Sequence, residues 1–229
     1  MRLRWIVLLG IVLLASQVNA GEDRVLKDQK EKVSYSIGMD IGNNLKKQAI
    51  DIDPDLLAKG IKDAFSQDKP LMTEQEIRET MMAFQKEMMV KQEERMKQAG
   101  EKNKKEGEAF FAENKKKEGV IPLQSGLQYK VIKAGTGKKP KATDKVTVQY
   151  RGTLLDGTEF DSSYRRGQPA SFPVSGVIPG WSEALQLMEE GAKWQLFIPP
   201  NLAYGERGAG NMIGPNSTLI FEVELISIQ

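Results

Sequence analysis

The chain has 229 residues, with 33 Lys and Arg against 31 Asp and Glu, and it contains neither His nor Cys. Their absence excludes histidine-based triads, thiol chemistry, disulfide frameworks and zinc sites of the usual ligand types. A formal net charge of +2, with both signs interspersed, favours neither nucleic acid nor an anionic membrane as a partner, and the length suits about two domains.

The N-terminus carries Arg2 and Arg4, an apolar run from Trp5 to Ala15, and a polar stretch ending at Ala20. This is the pattern of a secretory signal peptide over residues 1–20. The run is too short for the roughly 20 residues a membrane span needs, and no Cys follows for a lipid anchor. The mature protein is therefore expected in the periplasm or on the outer cell surface, without stable membrane insertion.

Residues 21–72 read as a helical domain. Val33, Ile37, Ile41 and Leu45 fall four apart along one helical face. Asp53 before Pro54 provides an N-cap and a first-position proline for a second helix striped by Leu57, Ile61, Ala64 and Phe65. A third helix is predicted over 73–118, opening on the capping box Thr73-Glu74-Gln75-Glu76. Its stripe of Ile77, Met81, Phe84 and Met88 is close to a coiled-coil seam. Two short helices and half of a third bury little on their own. The seam thus calls for a partner, most simply a second copy of the chain, unless the methionines only fill gaps inside the small domain.

Beyond Val90 the apolar stripe ends. Glu87-Lys91, Glu93-Lys97, Glu101-Lys105 and Glu113-Lys117 place opposite charges four apart, which predicts a solvated helical stalk, the alternative being a disordered linker. Gly100 and Gly107 mark its easiest bending points, and Gly119 closes it.

From Leu127 the period becomes two. Leu127/Tyr129/Val131, Val146/Val148/Tyr150, Trp194/Leu196/Ile198 and Leu219/Phe221/Val223/Leu225 predict half-buried antiparallel strands, with a hairpin turn at Asp156-Gly157. Trp181, Ala184, Leu185 and Met188 share one face of a short helix, with Gly191 as its stop. A sheet wrapped on one helix over 119–229 makes this an α+β domain behind an all-α N-terminal part. Gly135-Thr136-Gly137-Lys138 lacks P-loop spacing, and Gly205, Gly208 and Gly210 mark a loop rather than a dinucleotide fingerprint.

In order, the domain reads VTVQYRGTLLDGTEFDSS (146–163), VIPGW (177–181), AYGERGAG (203–210) and GPNSTLIFEVELISI (214–228). Across 121–229 this closely resembles the FKBP family of peptidyl-prolyl cis-trans isomerases. SYSIGMDIGNNL (34–45) and the long Lys/Glu-rich helix are similar to the macrophage-infectivity-potentiator group of exported bacterial FKBPs.

The resemblance implies an antiparallel half-barrel wrapped on the helix near Trp181. It implies a substrate pocket of Tyr150, Phe160, Phe172, Val177, Ile178, Trp181, Ile213 and Phe221, with Asp161 and Tyr204 as the catalytic pair. The Ile178 amide and Tyr204 hydroxyl would bind a carbonyl, and Asp161 would face the pocket from its polar side. Ala170 stands where many eukaryotic members have a further aromatic residue.

Rotation about an X-Pro amide faces a barrier of about 18–20 kcal/mol and breaks no bond to another atom. A twisted amide is less dipolar than a planar one, so an apolar cradle with a few aimed donors suffices, without metal or cofactor. The expected activity is prolyl isomerisation on proline-containing non-native or exported proteins. The resemblance implies FK506- and rapamycin-like macrolides as inhibitors, while the methionine seam predicts a homodimer through the N-terminal domain. The second reading is a dimeric holdase or peptide-binding module in which isomerisation is secondary.

Overall fold

The computed structural model describes residues 25–66 and 69–229; the leader expected over 1–20 lies outside the described residues. The chain divides into two compact units, the first ending at Thr73 and the second running Glu74–Gln229.

The first unit holds α1 (Gln29–Lys47) and α2 (Pro54–Phe65). Asp28 caps α1 by accepting the Glu31 amide at 2.8 Å. Asp53 caps α2 by accepting the amides of Asp55 and Leu56 at 2.8 and 3.1 Å, with Pro54 in the first turn where its missing N–H costs nothing. No residue of either helix is buried, and Phe65 is 90% exposed. The predicted apolar faces exist, and within one chain they stay largely open.

The second unit begins with α3 (Glu74–Asn114), 41 residues of continuous helix and about 60 Å long. Its early stripe is also open, Met81 being half exposed. Of the predicted charge pairs, Glu87 meets Lys91 at 2.6 Å; Glu113 pairs with Lys116 instead, and Lys117 lies 5.6 Å from the centre of the Phe110 ring.

The last four turns of α3 overturn the expectation of a solvated stalk. Gly100, Gly107 and Asn114 are buried, and the two glycines are close-packing points rather than hinges. A Cβ on Gly107 would stand 2.5 Å from Thr218 Oγ1, and one on Gly100 3.0 Å from Pro215 Cβ. Asn114 donates to the Gln128 side chain at 3.0 Å, Gln128 donates to the Phe111 carbonyl at 3.0 Å, and the Phe110 ring tilts onto Phe197 with centroids 5.7 Å apart.

The sheet behind this helix is antiparallel throughout, in the order β1 (Val120–Pro122), β2 (Gln128–Lys133), β6 (Lys193–Ile198), β7 (Leu219–Ile228), β3 (Lys145–Thr153), β4 (Glu159–Ser162). The short β5 (Ala170–Pro173) pairs with the first half of β3. Between β4 and β6 runs α4 (Pro179–Leu187). Alternation decides the faces: Val146, Val148 and Tyr150 of β3, Leu196 and Ile198 of β6, and Leu219, Phe221, Val223 and Leu225 of β7 are all buried against Trp181, Ala184, Leu185 and Met188. Each fully buried side chain of this kind is worth about 1.5–3 kcal/mol relative to exposure. Gln128 and Phe197, paired across β2 and β6, point to the other face, where the end of α3 covers them. The helix α4 stops at Leu187, short of Gly191, whose φ of +88° serves the turn into β6.

Candidate active site

One end of the sheet opens into a cavity of about 720 Å³ between its inner face and α4. From β3 and β7 come Tyr150 and Phe221; from β4, Phe160 and Asp161; from β5, Phe172. The turn entering α4 supplies Val177 and Ile178, and the helix supplies Trp181. The loop between β6 and β7 adds Tyr204 and the stretch Ala209–Ile213. All ten residues singled out in the sequence therefore border one space.

Trp181 is 4% exposed and forms the floor, meeting Tyr150, Phe172 and Phe221 edge-on at centroid distances of 5.1, 6.1 and 5.2 Å. Edge-to-face contacts at these distances hold rings at fixed angles better than aliphatic packing does. Phe160 stands edge-on to Phe221 at 5.4 Å, in space that exists because position 152 is glycine: a Cβ there would fall 2.6 Å from Phe221 and 2.7 Å from Phe160. Gly152 went unremarked in the sequence, although a glycine inside a strand is a signal of close approach.

The polar side of the cavity is a three-residue network. Tyr150 donates its hydroxyl to Asp161 Oδ2 at 2.5 Å; Arg166 donates to Asp161 Oδ1 at 2.5 Å and to the Tyr150 oxygen at 2.6 Å; the Ser162 amide donates to Asp161 Oδ1 at 2.8 Å. Burial pushes the Tyr150 phenol above its ordinary value, and its bond to the Asp161 carboxylate adds to this. Burial also acts to raise Asp161, but the bonds from Tyr150 and Arg166 outweigh it and leave the carboxyl below the usual carboxylate range. Arg166 is the residue that sequence reasoning missed. It follows Asp161 by five positions in a turn-rich stretch, where one of two adjacent arginines gave no periodic signal.

Three donors are uncommitted, two of them at the cavity edge. Among the described residues neither the Ile178 N–H nor the Tyr204 hydroxyl has a hydrogen-bond partner, and Tyr204 is 41% exposed at the cavity mouth. The indole N–H of Trp181 is buried without a partner as well. Among the described residues no group of acidic side chains could hold a metal ion.

The site is thus an apolar cavity with a few aimed donors, set between an antiparallel half-barrel and a single helix. Models of two consecutive domains match the chain: the domain amino-terminal to FKBP-type peptidyl-prolyl isomerases over residues 30–131, and the FKBP-type peptidyl-prolyl cis-trans isomerase itself over 136–226. The chain belongs to the FKBP-type peptidyl-prolyl cis-trans isomerases, among those that carry this N-terminal domain. It is 48% identical to the outer membrane protein MIP of Legionella longbeachae, over 100% of this chain and 98% of that protein. It is 53% identical to the peptidyl-prolyl cis-trans isomerase Mip of Coxiella burnetii, over 89% of each. Among solved structures, the crystal structure of FkpA from Escherichia coli matches with a TM-score of 0.71 at 42% identity, covering 90% of this chain and 99% of that one.

Proposed function

We propose that the cavity floored by Trp181 is where the chain isomerises X-Pro bonds of exported, non-native proteins. The observation that carries this is the pairing of an apolar, ring-lined cavity with two uncommitted donors, Ile178 N–H and Tyr204 Oη, at its edge.

The proline ring enters among Phe172, Val177, Trp181 and Phe221, which exclude water from the amide. Water favours the planar, more dipolar ground state, so its removal lowers the cost of the twisted state. The Ile178 amide and the Tyr204 hydroxyl hold a substrate carbonyl, fixing one side of the bond while the other turns. Asp161 takes part in no proton transfer: its oxygens are occupied by Tyr150, Arg166 and the Ser162 amide. It instead presents a fixed negative charge and keeps the Tyr150 ring in place. The same pocket accounts for an expected block by FK506- and rapamycin-like macrolides.

The mature chain works as a homodimer outside the cytoplasm, in the periplasm or at the outer surface. The leader-like sequence over 1–20 and the exported character of the relatives support the location. Exposed Ile77, Met81 and Met82, with the open faces of α1 and α2, support the dimer. Two tethered pockets raise avidity for one client by about 10²–10⁴ when both are engaged.

The test is isomerisation of a proline peptide by the purified mature chain, followed by NMR exchange or a protease-coupled assay, in chelator and reductant. Acceleration that is unaffected by either and abolished by rapamycin is expected. A folded chain that leaves the uncatalysed rate unchanged would overturn the reading in favour of a holdase.

A further inference from the structure

The docking face of α3 does more than cover the sheet. Gly100, Asn103, Gly107, Phe110 and Asn114 alternate three and four residues apart and therefore lie along one side of the helix. Asn103 donates its side-chain N–H to the Pro215 carbonyl at 2.9 Å and lies 3.4 Å from Ser217 Oγ, which in turn donates to the Gly214 carbonyl at 2.9 Å. The Asn216 side chain reaches the Gly100 carbonyl at 3.4 Å. Pro215, Ser217 and Thr218 are buried beneath this contact.

That segment is the tail of the loop that forms the cavity mouth. The Asn216 amide donates to the Gly205 carbonyl at 2.8 Å, beside Tyr204, and Asn216 holds a left-handed φ of +54° to do so. Ala209 and Ile213 pair through two backbone hydrogen bonds of 2.8 and 3.2 Å, folding the intervening residues into the cavity rim. Ile213 is only two residues from Pro215.

We propose that Asn103 is a positioning residue for substrate binding: by clamping Pro215–Ser217 onto α3, it sets the placement of Tyr204 and Ile213 at the mouth. Gly100 and Gly107 permit the approach that brings the clamp into range. The proposal rests on the cavity being the isomerase site, as argued above. It makes the helix that carries the methionine seam a support for the loop at the pocket mouth.

The test uses the full mature chain with Asn103→Ala, Asn103→Gln and Gly107→Ala. Peptide isomerisation gives kcat and KM, and backbone amide shifts of 204–213 are followed in a ¹H–¹⁵N spectrum. Asn103→Ala is expected to raise KM by about 3- to 10-fold with kcat within about 2-fold, the scale of one lost hydrogen bond, while Asn103→Gln recovers part of the loss. The shifts are expected to extend past Pro215 to Ile213 and Gly205.

Gly100→Ala keeps the test open where Asn103→Ala unfolds, since it displaces Pro215 and favours the helix. Unchanged KM in folded Asn103→Ala and Gly107→Ala, or shifts confined to 215–218, would overturn the proposal. The amide shifts need no turnover, so the coupling stands or falls on them even if the wild type proves inactive. That result would count against the pocket assignment alone.

Discussion

The Tyr150 hydroxyl and the Asp161 carboxylate lie 2.5 Å apart across the polar edge of the pocket, with Arg166 bonded to both. Among the described residues Asp161 is the one acid bordering the cavity, and it is thereby held ionised and immobile beside an apolar cradle, an arrangement suited to a fixed field and unsuited to proton transfer.

Activity is therefore expected to be independent of pH through the neutral range. The Asp161 carboxyl is lowered in the folded chain, so its contribution to stability is present above the ordinary Asp value and is lost as pH falls through its own lowered value. The Tyr150 phenol is raised, so its contribution is present below the ordinary Tyr value and is lost as pH rises through its raised one. A kcat/KM profile that is flat from about pH 6 to 8, with losses only towards both extremes, would bear this out; a bell centred near neutrality would contradict it.

Tyr204→Phe removes one carbonyl donor at a half-exposed site and is expected to lower kcat/KM by about 5- to 10-fold with Tm nearly unchanged. Asp161→Ala removes the carboxylate acceptor shared by Tyr150 and Arg166, so a comparable or larger loss is expected. Wild-type activity in a folded double variant would show that the carbonyl is held elsewhere.

Trp181→Ala is expected to destabilise the isomerase module by about 3–5 kcal/mol, because three rings lose their common partner. Denaturant unfolding of the full chain measures it. Trp181→Phe should retain most of the stability while weakening substrate binding.

Gly152→Ala places a methyl between two rings that already touch. A cost of about 1–3 kcal/mol and a raised KM are expected, from displacement of Phe160 and Phe221. An unchanged KM would mean that the Phe160–Phe221 pair does not shape the pocket.

Charged substitution of Met81 and Met88 is expected to give monomers in sedimentation that isomerise short peptides normally but suppress aggregation of a long client poorly. A compact monomeric wild type at tens of micromolar would rule out the dimer, and full client protection by a monomeric variant would rule out the bivalent role.

Where hydropathy carried the message, the sequence was legible. The period-two runs of β3, β6 and β7, the stripe of α4 and the caps at Asp53 and Pro54 all report burial or backbone satisfaction that a single strand or turn already encodes. The pocket was legible only as an ordered set, because Phe221 or Tyr150 alone reads equally well as core. The docking of α3 was illegible for a specific reason. Apart from Phe110, its contact face is made of glycines and amides at Gly100, Asn103, Gly107 and Asn114, which leave no apolar stripe, and glycines in a charged helix read as weakness rather than as close approach. Arg166 escaped notice because its partners Asp161 and Tyr150 lie five and sixteen residues back along the chain, and Tyr150 comes beside Asp161 only once β4 folds against β3.

The helix α3 carries two seams, methionines up to Met88 and the glycine-asparagine face from Gly100, and twelve residues of helix rotate one from the other by about 120°. Helical phase thus acts as an angular setting. One residue inserted between Val90 and Gln98 would swing the pocket about 100° around the helix axis relative to the methionine seam, whereas seven would return it to within about 20° while moving it roughly 10 Å further out. The length of a polar, unremarkable stretch is what aims the pocket.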